Sequence, residues 1–427
     1  MGEGRVFLVD NRVTKKEKEQ ALKGKKEDKK TDIRMVIALD IKSGKTIWEN
    51  PVDVTDCGPP LNTIYSNGTL LLAGAFRNGH FWGDYDKGKL AYRRATALSA
   101  KDGKVLWNKA LGYMTRPMVN GDVIYAPPLA FELKTGEPFM RVHPLTEKKV
   151  PFEFGREHHC GFVSGSLNCM FMRSGVTAYY DLIKDAGTVH FGGQRPGCLI
   201  NMIPANGLVI EPEASSGCIC MFSLYSTLVF KPKSVDRLWG RFSSTAATLP
   251  VKHLAVNFGA PGDRRDDNGT LWLSEPRPSI ALRLDFKLST KMHRSGYFAF
   301  NPEHLNIEST DRPWLFSFGC RTITRCTVSL IDKGQPAGRY TVRLGFAELD
   351  NNNEGERVFD IKLQGSVVSE KFDIFKEAGK KNKAVIKEFR GVKVADDLNI
   401  EFETGAGSDL PENKMPMLCS MEIIRED

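Results

Sequence analysis

The sequence has no stretch of 18 apolar residues, so no segment has the length and hydropathy of a membrane-spanning helix. Its opening, MGEGRVFLVD, lacks the charged region and apolar core of a secretory signal, so either the chain works in the cytoplasm or its true start lies upstream. Also missing are a Walker phosphate loop, a Gly-x-Ser-x-Gly elbow and a His-Glu-x-x-His pair, which leaves P-loop nucleotide, α/β-hydrolase and zincin chemistry without support. No two of the nine cysteines are adjacent and none stand at Cys-x-x-Cys spacing, so neither a zinc site nor covalent haem is expected. A large excess of one charge sign is missing as well. The net charge is +8, and residues 15–30, with eight lysines against four acidic residues, supply half of it. Such a run, broken by glutamate and free of aromatics, predicts a mobile surface loop and no nucleic-acid partner.

What is present is a repeat. VIALDIKSGKTIWE at 36–49 returns as ATALSAKDGKVLWN at 95–108. Both read as an alternating apolar strand, a turn around Gly44 or Gly103, and a second strand ending on Trp48 or Trp107. AFELKTGEPF puts Gly136 in the same role, AYYDLIKDAGTVHF puts Gly187 there, and NGLVIEPEASSGCICMFSLYSTLVFKP makes a fifth unit that has lost the turn. The glycines supply the positive φ of two-residue hairpins, and the alternation makes each strand half-buried. One hairpin cannot bury its apolar face alone. The units are therefore expected to stack radially as propeller blades, each Trp packing between neighbours.

These blades resemble the Ala-x-Asp-x-x-Thr/Ser-Gly-x-x-x-Trp repeats of the PQQ-like propeller family, across residues 1–238. Five blades are fewer than the family's rings carry, which implies completion by missing N-terminal blades or by another chain. The family's quinoprotein enzymes hold PQQ and Ca2+ and typically carry adjacent cysteines. Without a Cys-Cys pair the reading is a scaffold with no cofactor, PQQ and Ca2+ entering only under the rival reading of an extracytoplasmic PQQ-dependent oxidoreductase.

Past Pro250 the rhythm changes. YTVRLGFAE, RVFDIKLQG, LNIEFETG and CSMEII alternate strictly, and turn sequences separate them, so residues 245–427 are expected to form an antiparallel β-sandwich of jelly-roll type. VNFGAPG, DDNGTLW, YTVRLGFAE, RVFDIKLQG with FDIF, and the LNIEF to MEII ending, in that order, resemble the malectin family of carbohydrate-binding sandwiches. The resemblance implies Trp272 as an aromatic platform for a sugar's C–H face. It also implies polar contacts from the loops 350–354 and 409–413, with Asn351, Asn352, Glu354, Asp409, Glu412 and Asn413 re-pairing desolvated hydroxyls. A core position for Trp272 is the plainer alternative. Asp360 and Asp373 are expected to satisfy backbone groups at strand ends.

Five cysteines, Cys160, Cys169, Cys198, Cys218 and Cys220, crowd into residues 160–220 and are read as candidates for disulfides tying the last blades. His158 and His159 lie beside them without metal-ligand spacing, so no metal is expected. Cys320 and Cys326 could bridge, but buried thiols are favoured. Asn67 and Asn268 lie in glycosylation sequons. The combined expectation is an all-β, two-domain, periplasmic or secreted protein that binds carbohydrate or a glycosylated surface without catalysis. A protein-binding scaffold is the third reading.

Overall fold

Alternating apolar residues make strands along nearly the whole chain, and helix is confined to short segments. The computed structural model describes residues 1–75, 82–158, 160–198, 200–213, 220, 225–233, 239–277, 282–291, 296–405 and 410–427. Two compact units result: residues 1–141 with 151–237, and residues 142–150 with 238–427. The stretch 142–150 was expected in the first domain. It groups with the second, where the Leu145 carbonyl accepts from the backbone N–H groups of Lys252 and His253 at 2.6 and 3.1 Å.

In the first unit, small antiparallel sheets follow one another in chain order. Arg5–Asp10, Ile33–Asp40 and Thr46–Asp53 pair in succession, then Leu61–Ser66, Thr69–Gly74, Arg94–Ser99 and Val105–Ala110, then Met118–Asn120, Val123–Ala126 and Leu129–Glu132. Cys169–Ser174, Val176–Asp181 and Thr188–His190 continue the pattern. The turn glycines do have positive φ: 68° at Gly44, 72° at Gly103, 67° at Gly136 and 103° at Gly187. The loops, however, are four residues long rather than two. The N–H of Gly44 donates to the Asp40 carbonyl, Gly103 to Ser99 and Gly136 to Glu132, each at 2.8 Å.

The repeat tryptophans join successive sheets. The Trp48 indole N–H donates to the Ala100 carbonyl at 3.0 Å, and a Cβ on Gly103 would lie only 2.6 Å from the Trp48 ring. Trp107 repeats the arrangement one sheet on, donating to Leu133 at 3.0 Å with its ring 2.9 Å from where a Gly136 Cβ would stand. Glycine is thus required twice over in these turns, by φ and by the ring above it.

The basic insertion is a correction to the expected loop. Lys15–Leu22 is a helix whose N-cap Thr14 hydroxyl accepts from the Glu17 N–H while the Glu17 carboxylate accepts from the Thr14 N–H. Thr-x-x-Glu is a capping box, and Leu22 buries at the helix end.

The second unit pairs two sheets. One runs Arg264–Arg265, Leu271–Glu275, His253–Phe258, Ser420–Arg425, Gly338–Ala347, Ala384–Val394; the other runs Phe286–Thr290, Ile323–Ser329, Asp397–Glu403, Val358–Leu363, Ser366–Asp373. The expected sandwich pattern holds except that His253–Phe258 and Leu271–Glu275 are parallel. Tyr340, Val342, Leu344 and Phe346 bury on the core side with Phe359, Ile361, Leu398, Ile400 and Phe402 from the second sheet. Period two then turns Thr341, Arg343 and Gly345 to the opposite face. Among the described residues no helix is long and apolar enough to cross a membrane.

Candidate functional site

That opposite face carries a groove of about 360 Å³, lined by Trp272, Thr310, Arg312, Phe316, Arg343, Gly345, Ile386, Glu388, Ser420 and Glu422 among others. Its centre is Arg343. Register places Glu388 directly across from it on one neighbouring strand and Glu422 on the other. Arg343 Nε donates to Glu388 at 2.7 Å, Nη1 donates to Glu422 at 3.0 Å, and His253 Nε2 lies 2.9 Å from the other Glu422 oxygen. Burial raises the Glu422 pKa, but the hydrogen bonds from His253 and Arg343 outweigh it and hold the carboxyl below its ordinary value. The floor stays open because residue 345 is glycine: a Cβ there would collide with Ser420 Oγ and sit 3.2 Å from the Phe316 ring.

Trp272 lines this groove but is not an open platform. It is 4% exposed, its indole N–H donates to Asp266 at 3.0 Å, Trp314 meets it edge-on at 6.3 Å, and the Arg312 guanidinium lies 5.7 Å from its ring centre. Arg312 in turn pairs with Asp266 at 2.8 Å. A strand residue in a six-stranded sheet packs against its neighbours, so the plainer alternative describes the ring.

The predicted loops do meet. Asn351 Nδ2 donates to the Asn413 carbonyl at 2.7 Å and Asn413 Nδ2 donates to Asn351 Oδ1 at 3.0 Å. Asn351 is buried and its amide is committed to Asn413, whereas Asn413 itself is exposed. Beneath them Glu348, fully buried, accepts from the Asp350 and Asn351 N–H groups at 3.0 Å and from Arg357 at 2.8 Å. Asp350 accepts from Arg357 and, in a two-pronged contact at 2.9 and 2.7 Å, from Arg321, whose guanidinium also covers the Phe298 ring at 4.4 Å. Burial pushes the Asp350 pKa up, and the two arginines more than reverse it. Glu412 stands 3.9 Å from Arg321. Asn352 and Glu354 are exposed; Asp409 lies outside the described residues.

Glu348, Arg357, Arg321 and Arg343 escaped the sequence reading. The signal was an ionisable residue inside an otherwise apolar strand, as in FAELD and TVRLG, where charge needs a partner. Asp360 and Asp373 serve backbone groups as expected, accepting from the N–H groups of Lys371 and Lys376 at 2.7 and 3.1 Å.

The cysteine expectations change. Among the described residues Cys160 and Cys169 are free thiols, and Cys218 and His159 lie outside them. Cys198 Sγ takes an Arg195 N–H at 3.6 Å, Cys220 Sγ is 4.0 Å from His158 Nε2, and Cys169 sits on a strand opposite Asp181. Cys320 and Cys326 are separate buried thiols, the first pushed by burial up to about 12. No group of three or more His, Cys, Asp or Glu side chains stands together as metal ligands among the described residues.

Comparison with known proteins matches a Malectin domain to residues 331–409. A probable LRR receptor-like serine/threonine-protein kinase of Arabidopsis thaliana is 28% identical over 234 residues, 49% of this chain and 23% of the kinase. Among solved structures, the extracellular domain of ANXUR2 from Arabidopsis thaliana is similar at a TM-score of 0.32 and 14% identity, covering 41% of this chain and 48% of that one. Bacteroides uniformis beta-glucuronidase is similar at 0.32 and 17%, covering 48% and 25%. A complex of the plant peptide RALF23 with FER and LLG2 is similar at 0.31 and 19%, covering 43% and 54%. The chain therefore spans about a quarter of the curated relative it matches.

Proposed function

We propose that the second unit binds a neutral carbohydrate in the groove over its six-stranded sheet, and that the protein is a binding module rather than a catalyst. The observation that supports this is the setting of Arg343. Arg312 and Arg343 face Glu388 and Glu422 in one groove, so the formal charges of the lining cancel and favour a ligand without net charge. A saccharide hydroxyl accepts from a guanidinium and donates to a carboxylate at once. Ile386, 55% exposed, and the Phe316 edge supply apolar surface for the sugar's C–H face. Asn352, Glu354, Asp409 and Glu412 are further candidate contacts at the loop end, which the Asn351–Asn413 pair would hold in shape. The first unit we read as a segment of a PQQ-like propeller serving as scaffold, its ring completed by blades beyond this sequence or by another chain. With receptor-kinase relatives in mind we place the protein in the periplasm or outside the cell.

The test is a glycan array with the full chain, followed by calorimetry on the saccharides retained. Arg343→Gln should weaken binding by about tenfold or more. Its effect on thermal stability should be small, because the Arg343 side chain is 38% exposed and solvent screens its pairs. The reading fails if no saccharide is retained at about millimolar concentration, or if the variant binds as the parent does.

A further inference from the structure

The buried cation Arg357 of the second unit has Glu348 beside it, and the partly buried Arg277 and Arg312 have Asp263 and Asp266. Arg156 and Arg173 in the first unit have no carboxylate beside them among the described residues. Arg173, on the strand Cys169–Ser174, is 1% exposed, and Arg156 is 5% exposed. Arg156 Nε donates to the Arg173 carbonyl at 3.1 Å, and its Nη2 only reaches the Cys160 and Gly161 carbonyls at 3.5 Å. Arg156 Nη1 and the Nε and Nη1 of Arg173 have no acceptor among the described residues.

The frame around the pair is fixed. Asn201 Oδ1 accepts from the Arg173 N–H at 3.0 Å, while its Nδ2 donates to the Cys160 and Gly197 carbonyls at 3.2 and 2.8 Å. Gly161, at φ 82°, passes so close to Asn201 that a Cβ would strike the amide. The Arg156 guanidinium is thus held on backbone carbonyls and the Arg173 backbone on Asn201, while three of the two guanidiniums' N–H groups have no partner among the described residues.

An ionised guanidinium moved out of water costs several kcal/mol, and a guanidinium does not neutralise itself near pH 7. Burial lowers the Arg156 pKa to about 9, and the like charge of Arg173 acts in the same direction, yet the group stays charged at neutral pH. Two such charges side by side call for a counter-charge, and no described carboxylate provides one.

We propose that Arg156 and Arg173 form a binding site for an oxyanion, a carboxylate or phosphoryl group whose oxygens take up the three unused donors. The guanidinium fork matches both groups bidentately, and the shared requirement is two or more anionic oxygens on one centre. This site is independent of the carbohydrate reading and lies in the other unit.

The experiment is thermal denaturation of the full chain in sodium phosphate and in sodium succinate, each titrated against sodium chloride at constant ionic strength. A saturable rise in Tm with phosphate alone identifies a phosphoryl ligand, with succinate alone a carboxylate, and with both the shared oxyanion. Arg173→Met should weaken the effect at least about tenfold, and Arg173→Lys, which keeps the charge but loses the fork, should weaken it less. Should Arg173→Met fail to fold, line broadening of the phosphate 31P and succinate 13C signals by the unaltered protein decides instead. No saturable shift or broadening with either anion, or an undiminished shift in a folded Arg173→Met, overturns the proposal.

Discussion

Arg357 in the second unit and Arg173 in the first are each 1% exposed, but only one has been given a counter-charge. Glu348 lies 2.8 Å from Arg357, and Asp350 takes its other end. Arg173 stands near a second arginine and leaves donors idle. Equal burial therefore has opposite energetic meanings. In the second unit the ion pair closes a loop and is complete within the chain; in the first, the charge is complete only with something added.

The largest effect should come from breaking the complete pair. Glu348→Ala leaves Arg357 charged and buried without its main partner, and a loss of about 3–5 kcal/mol is expected in urea unfolding of the full chain. Removing the incomplete charge should go the other way: Arg173→Met, measured without phosphate or succinate, should leave stability unchanged or raise it. A loss there as large as that of Glu348→Ala would erase the contrast between the units.

Trp107→Ala tests whether the first unit is held instead by its aromatic junctions, with about 3–5 kcal/mol expected from the same assay. Asn351→Ala should cost less, about 1–3 kcal/mol, since it strands the Asn413 amide but removes no charge. The smallest effect is in pH. Asp350 and Glu422 are held below their ordinary values in the folded state, so their contribution is fully present above the carboxylate range and drains away as pH falls through the lowered values. Arg156 is a base lowered to about 9, so its charged form is disfavoured in the fold, and that penalty lifts as pH rises through about 9. A Tm profile should therefore fall on the acid side, less so in Glu422→Gln, and rise modestly on the alkaline side, an alkaline rise that Arg173→Met should reduce.

Much of the fold was legible in local pattern. Period two located the strands, positive-φ glycines located the turns, and Trp48 and Trp107 signalled packing between sheets. Pairing partners distant in sequence were not legible. The parallel placement of Leu271–Glu275 beside His253–Phe258 follows from neither segment alone. Nor does the meeting of Arg343 with Glu388 and Glu422, which lie 45 and 79 residues away. The capping box at Thr14 and Glu17 was local and readable, but the density of lysines masked it. Trp272 shows the reverse error, since family position marked a ring that its own neighbours Trp314 and Arg312 cover.

The tryptophan junctions also give the first unit a head and a tail. Each sheet hands its ring forward to the next turn, so the turn glycine of one sheet is read by the sheet before it and not by the one after. Gly103 and Gly136 receive rings, whereas a Cβ on Gly44 would meet nothing within 4 Å. Three glycines that look interchangeable in the repeat are therefore unequal: at Gly44 a side chain would have to accept only an awkward backbone, while at the other two it would also have to evict a neighbour.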